Sequence, residues 1–561
     1  MRDNKTAADI DKIQGKTEKQ ALTTDADRQR EQYFFPALTD SLLSAFSGKG
    51  ATVTAVTAAV KNAVSIDILS NNLAEVFRIS KEDAVKALEV YGFRELIEQS
   101  RLKNTQAKDS RSSTLVLSDG GKTINPYSKL FEIESSPDLQ EPIALSETLK
   151  NTLEGLFDTL AATMQNDTLA GLYRGDVMGY YNDFMTDMAP IILDYVNTNF
   201  DGGRPTYMVT TGIGANEQFT HFVADMNNKN KDRRLDWLVI DSPRKLALLP
   251  PDATVQNTLF VEFSRSSLTE ETVKTHEYTP REAKRIVFSN SGPLKQLAER
   301  DKNLILNFPD QVSGRFGRNK TPMLLAPMLI AGMDTAQYWK DIDAAIKVFD
   351  LSDTNSLPFV LAKFLVVQQK EHLKNFIYFG ANDDALGLLA DEFIQFWNEG
   401  VNKTGNDFLI SRFFGLPRDS HMNIEGILGN RATKMGVFLL RTDLRAQNRH
   451  PMVRAEIDPI NPAHQGLQFG DEEAVLAMAN YKRFSEIMPT LLIKVPMAPD
   501  LRHSAVLGQL FADMTYVYSR ILGIDPGSNP EVKAVRERSA ALLAEAAGRL
   551  RENGPAAENL F

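Results

Sequence analysis

The 561-residue chain has no cysteine, so disulfides, thiolate metal sites and a cysteine nucleophile are all excluded. It also lacks any run of about 18 apolar residues, the length needed to cross a bilayer as a helix. Its first residues, MRDNKTAADIDKIQGKTEKQ, contain no apolar segment of the kind that opens a secretory leader, and the expectation is a cytoplasmic protein. An excess of basic charge is missing as well. With 63 Lys+Arg against 73 Asp+Glu the net charge is −10, which argues against nucleic acid or an anionic membrane as the main partner. What remains is a chain of 43% hydrophobic content, long enough for two cores.

Residues 1–31 are polar with interleaved charges and read as a mobile arm. Segments such as 51–65 and 81–96 have helical apolar spacing, so 32–145 is expected to be mainly helical, with a loop-rich stretch over 99–145. A helical stretch over 146–199 follows. Strand-type runs then alternate with helix-type sequence at 206–211, 235–240, 258–263, 285–288 and 303–307, and again at 375–380, 408–411, 436–440 and 490–495. This rhythm predicts an α/β fold of two doubly wound parallel-sheet αβα sandwich domains, 146–345 and 346–561, with an N-terminal helical extension and a C-terminal helix opening at Asn529-Pro530.

The most informative stretch is NTLFVEFSRSSLTEET, residues 257–272. An apolar strand runs directly into Ser264, Arg265, Ser266 and Ser267 and then into helix-type sequence, which is the pattern of a strand opening onto a helix N-terminus. Ser267 and Glu270 have capping-box spacing. Backbone N–H groups there, hydroxyls from Ser264, Ser266, Thr269 and Thr272, and the charge of Arg265 would suit a phosphate or sulfonate. An ordinary capped βα loop with many serines is the plainer alternative. Upstream, Gly212 and Gly214 follow the first strand and let backbone approach a ligand. A dinucleotide motif fails here, because Glu217 stands where a third glycine is needed, and an oxidoreductase is correspondingly disfavoured.

Three stretches, VTTGIGANE, EFSRSSLTEET and SGRFGRNKTPMLLAPMLIAGMD, resemble in order and spacing the glucose-6-phosphate isomerase family. The likeness continues through GLPRDSHMNIEGILGNRATKMGVFLL and VLGQLFADMTYVYSRILGIDPGSNPEVKAVR, and covers roughly residues 145–540. The resemblance implies two sugar-isomerase-type sandwiches in a homodimer and a metal-free, cofactor-free aldose–ketose isomerase of carbohydrate metabolism (glycolysis and gluconeogenesis). Its substrate would be glucose 6-phosphate or a related anionic hexose, converted through an enediolate.

By position, the resemblance puts Ser264, Arg265, Ser266, Thr269 and Thr272 on the sugar-phosphate loop, with Arg265 in place of a lysine and Asn216 in place of a serine. Arg315 matches the arginine that steadies the enediolate, and His421 the histidine that opens the sugar ring. Arg536 stands for a ring-opening lysine, and Asn529, seven residues earlier, for a glutamine. The departure is the base: the family's glutamate corresponds to Asn402, which cannot move a proton. Glu399, one helical turn away, is the candidate replacement. Lys403, at i,i+4 from Glu399, offers that carboxylate a surface partner instead. If no base is present, the chain is a catalytically silent sugar-phosphate-binding protein.

Overall fold

The computed structural model describes residues 118–119, 122–123, 127, 130–135, 160–164, 167–212, 215–264, 269–309, 314–370, 374–401, 409–410, 414–416, 427, 433–442, 469–527 and 530–553. The arm expected over 1–31 and residues 32–117 of the region after it lie outside the described residues, and where 118–135 are described they form short strands and not the mainly helical structure expected over 32–145. All the strands belong to one compact unit made of 114–140, 157–369 and 374–561. Among the described residues no helix is long and apolar enough to cross a membrane.

In chain order, β1 (Ser118–Asp119) and β2 (Lys122–Thr123) form a short antiparallel pair, and β3 (Glu132–Ser135) follows. The stretch expected to be helical over 146–199 is, where it is described, a series of short helices. Helix α1 (Thr168–Arg174), capped by Asp167, ends at Gly175, and Asp176 takes a left-handed φ of 42° before α2 (Val177–Asp183) and α3 (Ala189–Asn199).

The first sheet then forms from β4 (Tyr207–Thr211), β5 (Asp236–Ile240), β6 (Thr258–Phe263), β7 (Lys284–Phe288) and β8 (Leu304–Leu306). Helices α4 (Ala215–Lys229), α5 (Glu270–Tyr278) and α6 (Pro293–Arg300) connect them. All its pairings are parallel, in the order β5-β4-β6-β7-β8.

Three helices lead to the second sheet: α7 (Pro322–Ala331), α8 (Thr335–Val348) and α9 (Leu357–Lys370). α7 opens with proline at its first position and stops at Gly332, whose φ of 69° ends the helix. The second sheet contains β9 (Phe376–Ala381), β10 (Leu409–Ile410), β11 (Phe414–Gly415), β12 (Lys434–Arg441) and β13 (Thr490–Val495). Its helices are α10 (Asp384–Gly400), α11 (Phe469–Ser485), α12 (Leu501–Ile521) and α13 (Pro530–Asn553). The order is β10-β9-β12-β13-β3, with β11 also on β9; only β3 is antiparallel, so a strand from the stretch expected to be loop-rich closes this sheet.

Side-chain alternation explains the layering. From β6, Leu259, Val261 and Phe263 enter the main core, and from β12 so do Met435, Val437 and Leu439. The opposite faces build separate cores, Val209 with Phe260 on the first sheet and Phe438 with Leu440 on the second. Both sheets thus share one central core. α12 is buried from His503 to Ser519, in keeping with its place in the middle of the unit. A side chain on its Gly508 would run into the Arg318 guanidinium, so the helix needs glycine there.

Candidate functional site

In each sheet the chain leaves the first strand in opposite directions, and in doubly wound sheets such a reversal, at the carboxyl ends of the strands, is where ligands bind. In the first sheet this place lies between β4 and β6. Ser264, directly after β6, is buried and extends the sheet by donating its N–H to the Phe288 carbonyl at 3.1 Å. Its hydroxyl donates to Thr269 Oγ1 at 3.2 Å. The helix cap differs from expectation: Thr269, not Ser267, is the N-cap of α5, so Glu270 is the first helical residue. Thr269 makes no side-chain cap bond to the helix, which leaves the first-turn N–H groups without that partner. Two buried hydroxyls at this end, Thr211 Oγ1 and Thr272 Oγ1, have no hydrogen-bond partner among the described residues. Buried hydroxyls are normally paired, and a ligand oxygen would complete these.

Beneath the loop, β6 carries the fully buried Glu262 on its other face. Glu262 Oε2 lies 2.6 Å from His276 Nδ1 on α5, and His276 Nε2 lies 3.2 Å from Asp301 Oδ2. Arg285 of β7 faces Glu262 at 3.4 Å. Hydrogen bonds from Arg300, then from His276, hold the Asp301 carboxyl down at about 2. This charged cluster ties α5 to the sheet.

The second group comes from separate parts of the chain. Arg315, in a tight turn over Gly314–Phe316, is buried, and its Nε is 3.2 Å from Glu399 Oε2 in the last turn of α10. Its Nη1 donates to the Pro526 carbonyl. Burial pulls the Arg315 pKa down, and the Glu399 carboxylate pulls it back up. Glu399 keeps 33% of its side chain exposed, and its other oxygen accepts from Gln395 Nε2 at 2.8 Å. Glu399 therefore has Arg315 as a partner and still reaches solvent, while Lys403, the surface partner the sequence offers it, lies outside the described residues.

Aromatic contacts join the two groups. Phe219 of α4, the helix that follows the β4 turn, packs on Phe396 of α10 at 5.5 Å between centroids, and Phe396 packs on Phe316 at 5.7 Å. α4 and the elements that carry Arg315 and Glu399 thus share one aromatic seam.

The sequence reading missed the next layer. Arg318 is buried three residues after Arg315; its Nε lies 3.1 Å from Glu392 Oε1, and its Nη2 donates to Tyr338 Oη at 2.7 Å and the Ser504 carbonyl at 2.6 Å. Burial pushes the Glu392 carboxyl up to about 7, against the pull of Arg318. Asn319 donates to Gln509 Oε1 at 2.6 Å, and Gln509 to Asp513 at 2.9 Å. The only signal for this layer was the second arginine of SGRFGR. Of the other sequence-predicted residues, Arg265, Ser266, Gly214, Asn402, His421 and Asn529 lie outside the described residues. Asn216 falls in the first turn of α4 and Arg536 in α13, with their side chains outside the description.

The fold is α/β, with helices layered on two mainly parallel sheets. Two solved structures share it: a hypothetical protein of Thermus thermophilus, at 18% identity over 70% of this chain and 95% of that one, with a TM-score of 0.55, and a glucose-6-phosphate isomerase of Chlamydia trachomatis, at 12% identity over 81% and 98%, also with a TM-score of 0.55. No protein-family model and no curated protein matches the sequence.

Proposed function

We propose that the chain is an aldose–ketose isomerase for a hexose with an anionic group at its far end, glucose 6-phosphate and fructose 6-phosphate being the first pair to test. The observation that carries this reading is the Arg315–Glu399 pair, a buried arginine facing a part-exposed carboxylate at 3.2 Å. In this account the loop from Ser264 to Thr272 anchors the anion, with Arg265 in place of lysine keeping a positive charge and adding a planar fork. Glu399 then takes the proton from C2 and returns it to C1. Negative charge moves from the carboxylate to the enediolate, and Arg315 remains the counter-ion at both stages, so little charge has to be reorganised in the transition state. His421, aided by Arg536 with Asn529, is assigned to ring opening, and Asn402 and Asn216 to contacts with the sugar. The likeness in fold to a glucose-6-phosphate isomerase supports this reading. Such an isomerase would be a cytoplasmic homodimer of two-domain chains, 146–345 and 346–561, needing neither metal nor cofactor.

The second reading, a sugar-phosphate-binding protein without turnover, is favoured by Asn402. Proton NMR of glucose 6-phosphate in D₂O separates the two. Isomerase chemistry predicts interconversion with deuterium entering C2, reduced by about 10²–10⁴ in Glu399→Gln, as for loss of a positioned base. Exchange that survives Glu399→Gln rules out this base, and saturable binding without exchange selects the second reading.

A further inference from the structure

The second sheet has its own switch point, between the carboxyl ends of β9 and β12, and it is shut by its own side chains. Asn382, directly after β9, spans the gap: its Nδ2 donates to the Arg441 carbonyl at 3.0 Å and its Oδ1 accepts from Arg441 N at 2.8 Å. Asp383 caps α10, its Oδ1 accepting from Ala385 N at 2.9 Å and Leu386 N at 3.3 Å. Its other oxygen faces Arg441 Nη1 at 3.2 Å, and both side chains are only 4% exposed. Arg441 Nε is buried with no hydrogen-bond partner among the described residues, so this guanidinium has a donor to spare.

A carboxylate that receives helix-terminal N–H groups and an arginine occupies the position that a ligand anion takes in a doubly wound sheet. The first sheet is built differently at the matching place. There β4 is followed in sequence by Gly212, Ile213 and Gly214, β6 is followed by Ser264, and the hydroxyls of Thr211 and Thr272 are unpartnered among the described residues.

We propose that Asp383 is a built-in substitute for a ligand anion, closing the second switch point and confining anion binding to the first sheet; this rests on reading the first switch point as the anion site. The two sheets then share an architecture but not a ligand. Removing the carboxylate while keeping Arg441 opens a second site for phosphate.

The test is calorimetric titration of the full chain with inorganic phosphate, comparing wild type, Asp383→Gly and Asp383→Gly/Arg441→Gln. The expected result is one phosphate per wild-type chain, two in Asp383→Gly, and one again in the double variant. If Asp383→Gly does not fold, Asp383→Asn keeps the cap and unpairs Arg441, and its melting temperature should then rise more steeply with phosphate than that of wild type. A wild type that binds no phosphate while Asp383→Gly binds one supports the plug and refutes the reading of the first switch point. Phosphate stoichiometry in Asp383→Gly equal to wild type, or an Asp383→Asn phosphate dependence equal to wild type, overturns the proposal.

Discussion

Arg315 and Arg318 stand three positions apart, and their surroundings set them to different tasks. Arg315 faces a carboxylate that reaches solvent, whereas Arg318 faces Glu392, which is fully buried. A buried carboxylate is costly to ionise, and the upward shift of Glu392 to about 7 expresses that cost. Between the ordinary value of 4.5 and about 7 the folded chain keeps a proton that the unfolded chain has released. The Glu392 contribution to stability therefore falls as pH rises through this window and levels off above it. Glu392→Gln has no such proton to lose. Melts of both proteins from pH 4 to 8 should show the variant gaining on wild type across the window; a difference independent of pH would contradict the assignment. The roles of Arg318 and Glu392 were not legible in the sequence, because SGRFGR shows two arginines but not which carboxylate each one meets.

At the scale of elements, the strands were the most legible feature. β4, β6 and β13 are runs of almost wholly buried residues, and their limits fall within a residue of the sequence reading. β3 was not legible. Four residues with Glu132 and Glu134 exposed carry too short an alternation to stand out, and they become a strand only because β13 offers an open edge, where Lys494 pairs with Glu134. The start of α5 was read two residues early, since the Thr269 hydroxyl is engaged with Ser264 and the helix begins after it. That start makes Thr272 testable. Its buried hydroxyl has no partner among the described residues, so Thr272→Val should leave stability unchanged or raise it by about 1 kcal/mol. The same change should weaken hexose-phosphate binding by roughly five- to ten-fold, the loss of about one hydrogen bond. Thermal melts paired with calorimetric titration check both halves; a destabilised variant with unchanged affinity would make the hydroxyl structural.

On the scale of the whole molecule, the two sheets bury one face each in a common core, and the candidate site depends on that joint packing. Arg315 and Glu399 are 84 residues apart, so their convergence is a property of the fold and not of any one segment. The sequence carried the residue types and the resemblance, and the partner of Glu399 became visible only with α10 packed beside the 314–316 turn. The same view distinguishes the halves: at one switch point two buried hydroxyls have no partner among the described residues, and at the other Asp383 pairs with Arg441.

The central claim is that the loop after β6 holds the anion of a hexose phosphate, and calorimetric titration of glucose 6-phosphate into wild type and Arg265→Ala tests it most directly. The account predicts saturable binding by wild type and affinity lower by about ten-fold or more in the variant, the equivalent of one charge-assisted hydrogen bond. Equal affinities in the two proteins would remove the loop from the site.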